Sequence, residues 1–92
     1  MKVAVKSFAD LRDVIENEVQ VELIEGETIA GLLGALCNDH AGLRSALFDP
    51  SGMIRPYVNI LKNGRNIHFL NGLETLLSEG DVIALFPPAA GG

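Results

Sequence analysis

Thr28-Ile29-Ala30-Gly31-Leu32-Leu33-Gly34-Ala35-Leu36-Cys37 is the stretch on which the fold turns. Ile29, Leu32, Leu33, Leu36 and Cys37 recur at i, i+3, i+4, i+7 and i+8, so all of them share one face of a helix. Thr28 stands where a hydroxyl can accept an otherwise unpaired first-turn amide. Gly31 and Gly34 each weaken the helix by about 1 kcal/mol relative to alanine, so packing rather than propensity has to hold it. Asn38, Asp39, His40 and Gly42 close it. A second, short helical stretch covers 43–48 and leads into the turn Asp49-Pro50-Ser51-Gly52.

Around this helix the pattern changes to period two. Lys2–Ser7 points Val3 and Val5 one way and Lys2, Ala4 and Lys6 the other, as a strand with one buried face does. Phe8 continues the parity of the lysines, which predicts its ring on the solvent side. Val19, Val21 and Leu23 alternate with Gln20 and Glu22 in a second strand that Glu25-Gly26-Glu27 ends. Val58 and Ile60 alternate with Tyr57, Asn59 and Leu61 in a third. Asn63-Gly64 tolerates positive φ at both centres of a type I′ hairpin turn, and Ile67–Phe69 is predicted to return as a short fourth strand. Asn71-Gly72 and 78–81 are further turns, with Leu73, Leu76 and Leu77 expected to cover the sheet end between them. Val82-Ile83-Ala84-Leu85-Phe86 is apolar throughout, the mark of a central strand, and is placed beside the first. The order β-β-α-β-β-β with one main helix predicts an α+β domain, a mixed sheet crossed by that helix.

Composition narrows the function classes. Ninety-two residues leave room for one domain, expected over 1–86, with 87–92 as a flexible C-terminal tail. The hydrophobic content of 48% separates the chain from disordered sequences. No apolar run approaches the ~20 residues that span a bilayer, and the N-terminus becomes charged at once, so neither membrane nor export is expected and the location is read as cytoplasmic. The net charge of -5, with Asp10, Asp13, Glu16, Glu18, Glu22, Glu25 and Glu27 early in the chain, disfavours nucleic acid as a partner. Cys37 is the single cysteine and cannot close an internal disulfide, which suits a reducing compartment.

Catalytic constellations are missing from the sequence. His40 and His68 lie far apart with no second cysteine or paired histidine at ligand spacing, so no metal site is expected. His40 reads as a cation at the end of the helix, where it complements the dipole. His68 reads as a polar position in an edge hairpin, and Cys37 as a small hydrophobe on the apolar helix face. Ser7, Ser45, Ser51 and Ser78 lie in no nucleophile elbow, and Gly31 and Gly34 form no phosphate cradle. A chain this short is also expected to have little room for a concave pocket. The domain alone is not expected to be a catalyst.

What remains is Pro87-Pro88-Ala89-Ala90-Gly91-Gly92. The prolines fix φ and cannot donate to a ladder, so the chain should leave the last strand stiffly in one direction. Ala89 and Ala90 are small, and Gly91 and Gly92 allow a protein tunnel to close on their backbone. Extended at ~3.3 Å per residue, the segment reaches roughly 20 Å. Its terminal carboxylate is an anion at neutral pH and resists nucleophiles until activated. With no nucleotide-binding loop here, activation has to come from another protein. ATP can convert the carboxylate to an acyl-adenylate, from which a sulfur donor makes a thiocarboxylate or an amine an amide. The carrier's own contribution is positioning, which makes the reaction effectively unimolecular.

Phe8-Ala9-Asp10-Leu11-Arg12, the block VNILKNGRNIHFLNGL (58–73), SEGDVIALF (78–86) and the tail together resemble the β-grasp sulfur carriers over essentially the whole chain. Within that family the likeness is greatest to the small subunit of molybdopterin synthase and to archaeal ubiquitin-like small modifier proteins. The resemblance implies a β-grasp, ubiquitin-like fold with no bound cofactor. It implies that an E1-like adenylyltransferase uses ATP to activate Gly92, which then carries a covalent thiocarboxylate. Pro87, Pro88, Ala89, Ala90 and Gly91 would occupy a partner's tunnel, and Phe8 and Phe86 would pack on partner proteins. The leading expectation is sulfur donation in molybdopterin synthesis, with the large synthase subunit as partner. The alternative is a modifier joined through Gly92 to target-protein lysines, or a carrier for thiolated RNA, thiazole or cysteine. A longer segment through 43–55 than in the shortest bacterial members fits the archaeal and related forms.

Overall fold

The computed structural model describes residues 1–8, 17–56 and 58–86. Strands β1 (Lys2–Ser7) and β2 (Glu18–Glu22) precede helices α1 (Ile29–Asp39) and α2 (Leu43–Leu47), and β3 (Asn59–Lys62), β4 (Arg65–Asn66) and β5 (Val82–Phe86) follow. They form one sheet in the order β2-β1-β5-β3-β4. The apolar run of β5 is central, parallel to β1 and antiparallel to β3. This is the β-grasp arrangement, with the helices on one face and, among the described residues, no helix on the other. No helix among the described residues is long and apolar enough to cross a membrane.

The two periodicities meet in the core. Val3 and Val5 of β1, Ile60 of β3 and Ile83 and Leu85 of β5 pack with Ile29, Leu32, Leu33 and Leu36 of α1, all buried. Leu43 and Leu47 of α2 join the same cluster, and Cys37 lies half-buried beside it. Thr28 caps α1 as read, its Oγ1 accepting from the Gly31 amide at 3.3 Å. The helix runs on to Asp39, and His40 is its C-cap, donating its backbone N–H to the Leu36 carbonyl. Asn63 and Gly64 both take positive φ, 50° and 86°, as a type I′ turn demands.

Three readings are corrected. Ile67–Phe69 is a 3-10 turn, and the fourth strand is the short Arg65–Asn66 before it. The cause is local: Asn66 Oδ1 accepts the His68 amide at 2.9 Å, a side-chain cap that competes with the ladder and turns the chain away. Leu76 does not cover the sheet end and is 59% exposed. There the chain is extended, bridging Leu76 to Thr28, so parity buries Thr75 and Leu77 and turns Leu76 outward. The chain also has room for concavity, since a groove of about 620 Å³ runs beside β3.

Candidate functional site at the end of β5

β1 and β5 run side by side in the register Lys6↔Ala84 and Ser7↔Leu85, and the Phe8 amide donates to the Leu85 carbonyl at 3.2 Å. Both strands therefore finish at the same end of the sheet. Val3, Val5 and Ser7, like Ile83 and Leu85, face the core. Their neighbours Ala4, Lys6, Phe8, Val82, Ala84 and Phe86 face the open side. Phe8 and Phe86 come together there, ring centroids 4.4 Å apart and planes within 6°. A stacked pair of this kind contributes about 0.5–1.5 kcal/mol beyond its buried area. Phe8 is thus half-buried against Phe86 rather than standing free in solvent, as parity alone predicted.

Across β3, Asn59 pairs with Phe86 and Leu61 with Ala84. Ala4, Leu61, Val82, Ala84 and the two rings make an apolar stripe, bordered by exposed Lys2 and Lys6 and by exposed Glu18, Gln20 and Glu22 of the edge strand β2. An apolar centre inside a charged rim is the anatomy of a docking surface. The positions expected to enter a partner's tunnel, Pro87, Pro88, Ala89, Ala90 and Gly91, and Gly92 itself, lie outside the described residues. What is described is the strand that delivers them.

The far end of β5 is pinned by residues read from sequence only as turns. Asp81 is buried, its Oδ1 accepting from Asn63 Nδ2 at 2.9 Å and its Oδ2 from the Ser78 amide at 2.7 Å. Lys62 Nζ lies 3.6 Å from Asp81 Oδ2 and donates to the Leu76 carbonyl at 2.9 Å. Asn63 Oδ1 in turn accepts the Val82 amide at 2.8 Å. The β3–β4 turn and the start of β5 are therefore one hydrogen-bonded unit. The sequence reading names the two phenylalanines together as partner-facing and does not bring them into contact with each other. Their equal parity at the ends of neighbouring strands was the available signal, and it needed the register to be read.

The remaining reactive side chains are occupied structurally. Burial pushes the Cys37 thiol above its ordinary pKa, against a smaller lowering by the Arg44 charge, which leaves a poor nucleophile. His40 Nδ1 lies 3.0 Å from the Leu36 carbonyl, and His68 stands edge-on to Phe69 at 5.2 Å. Among the described residues no three of His, Cys, Asp and Glu are grouped to hold a metal ion.

With this geometry established, the sequence profile of the ThiS family matches residues 5–92. The chain belongs to the ThiS family of β-grasp sulfur carriers. It is 34% identical over 93 residues to small archaeal modifier protein 3 of Haloferax volcanii, covering 100% of both chains. The crystal structure of SAMP1 from Haloferax volcanii superposes with a TM-score of 0.89 at 33% identity, again over 100% of each chain. A Pyrococcus furiosus structure described provisionally as molybdopterin converting factor, subunit 1, gives a TM-score of 0.76 at 31% identity, covering 96% of this chain and 98% of its own.

Proposed function

We propose that this ThiS-family protein is an acyl carrier of the small-modifier kind, with Gly92 as the residue that is activated and transferred. The observation that carries the reading is the extent of the likeness. The family match runs through Gly91 and Gly92, and the modifier relative is covered in full at 34% identity. In the proposed cycle a carboxylate oxygen of Gly92 attacks the α-phosphorus of ATP bound to an E1-like enzyme, and pyrophosphate leaves. A nucleophile then displaces AMP from the acyl-adenylate. A lysine amine yields an isopeptide and releases a proton, whereas a hydrosulfide equivalent yields the thiocarboxylate.

The body supplies position. Docked through the apolar stripe, it holds the end of β5 at a fixed place, and Pro87–Gly92 carry the reacting carbon about 20 Å further at ~3.3 Å per residue. The stacked Phe8 and Phe86 sit where the strand hands over to the tail, so they serve both as contact surface and as anchor. Transfer of sulfur to a pterin precursor as a synthase small subunit is the second reading, favoured by the likeness to the Pyrococcus furiosus protein. Mass spectrometry of the protein and its host proteome separates the products. Gly-Gly remnants on lysines of other proteins are the expected result, and sulfur in place of oxygen at Gly92 marks the carrier branch. The absence of both products, in cells where the activating enzyme is present, would overturn the proposal.

A further inference from the structure

Asn63 and Asn71 are the two asparagines of the chain that precede glycine. Such a pair is the one most prone to deamidate without an enzyme, because a glycine leaves its own amide nitrogen open to the asparagine side chain. The glycine nitrogen bonds to the asparagine Cγ, and ammonia leaves with the proton that nitrogen gives up. The five-membered succinimide then adds water at either carbonyl and opens to aspartate or isoaspartate. The side chain has to swing onto the following residue first, so the rate depends on what already holds it.

Exposure does not separate the two sites, since both asparagines are exposed. Hydrogen bonding does. Asn63 Nδ2 donates to Asp81 Oδ1 at 2.9 Å, and Asn63 Oδ1 accepts the Val82 amide at 2.8 Å. Its backbone N–H donates to the Val82 carbonyl, also at 2.8 Å. Both side-chain heteroatoms are therefore tied to the first residue of β5 and the residue before it. Asn71 engages its backbone, donating to Thr75 Oγ1 and accepting from the Glu74 amide, each at 3.1 Å. Among the described residues its side chain has no hydrogen-bond partner.

We propose that Asn63–Gly64 is a latent deamidation site, shielded while β5 is seated and hydrolysed when β5 parts from the β3–β4 turn, and that Asn71–Gly72 is open to hydrolysis in the folded chain. Shielding follows from local opening, since only conformers that have given up both side-chain bonds can react. Aspartate tolerates the left-handed φ of 50° at position 63, so the turn itself survives the change. The clamp does not. A carboxylate in place of Nδ2 faces the buried Asp81 carboxylate, and like charges that close repel. Lys62, 3.6 Å from Asp81 Oδ2, would have to serve both. Isoaspartate further lengthens the main chain of a two-residue turn. A chain that has once opened and reacted therefore holds β5 less firmly, whatever Gly92 is joined to.

The test incubates the full chain in heavy-oxygen water at mildly alkaline pH, with and without denaturing urea, and follows both sites by peptide mass spectrometry. Label uptake sets hydrolysis during the incubation apart from hydrolysis during digestion. In native buffer Asn71 should convert about tenfold faster than Asn63 or more, and in urea the two should agree within about twofold. Equal rates in native buffer, or an Asn63 that stays slow in urea, would overturn the proposal. Asn63→Asp should also lower the urea midpoint more than Asn71→Asp does. Adding Asp81→Asn to Asn63→Asp should recover part of that loss, because the new amide donates to the new carboxylate. A midpoint in Asn63→Asp no lower than in Asn71→Asp, or a double variant less stable than Asn63→Asp alone, would equally overturn it.

Discussion

Asp81 satisfies a side-chain amide, a backbone amide and a lysine from within a buried site, so little else could replace it. Asp81→Ala should lower stability by about 1–3 kcal/mol, the usual penalty for leaving buried donors unmet, read as a fall in urea midpoint at constant slope. Phe8→Leu removes the stack but keeps an apolar side chain. It should raise the KM for Gly92 activation severalfold with kcat nearly unchanged, since docking is disturbed and the reacting atoms are not. Equal loss in kcat would assign Phe8 a role in the chemistry instead. Cys37 gives a pH prediction. Burial raises its pKa above the ordinary 9.0, so through that alkaline window the unfolded chain has released a proton that the native one still holds. Stability from this group is complete below the ordinary value and falls as pH rises towards the native one. Urea midpoints at neutral and alkaline pH should converge in Cys37→Ala relative to the parent.

At the scale of elements, the glycines of α1 are not equivalent. A Cβ at Gly34 would meet nothing, so Gly34→Ala should raise stability by about 0.5–1 kcal/mol in chemical denaturation. A Cβ at Gly31 would run into the Glu27 carboxylate, which now accepts the Thr28 amide at 3.1 Å, so Gly31→Ala should gain less or nothing. The sequence pattern made α1, its cap, the first three strands and the type I′ turn legible because each rests on local periodicity or a local φ requirement. The segment after β4 was not legible by the same means. Ile67–Phe69 has strand-like composition, and only the Asn66 side chain reaching two residues onward decides for a turn. Leu76 fails similarly, its direction being set by pairing to Thr28 far upstream.

For the whole molecule, the central place of β5 was readable from its unbroken apolar run, and its place beside β1 was expected, whereas the parallel direction of the two came from the structure. The Phe8–Phe86 contact and the groove beside β3 were not readable, since each depends on register between elements distant in the chain. The proposed function assigns the last six residues a task separate from the fold. Appending one bulky residue after Gly92 should therefore leave the thermal midpoint unchanged while abolishing transfer, checked by calorimetry beside detection of conjugates and thiocarboxylate. A drop in melting temperature would show the tail to be part of the folded body.

The central strand follows every other described strand in the chain. Without β5, β1 has no parallel partner and β3 no neighbour on that side, so the sheet cannot close before β5 has left the ribosome. Prematurely terminated chains should consequently remain unfolded and fall to proteases. Under the proposed function, an enzyme that docks on the folded sheet would then act only on chains in which β5 is already in place.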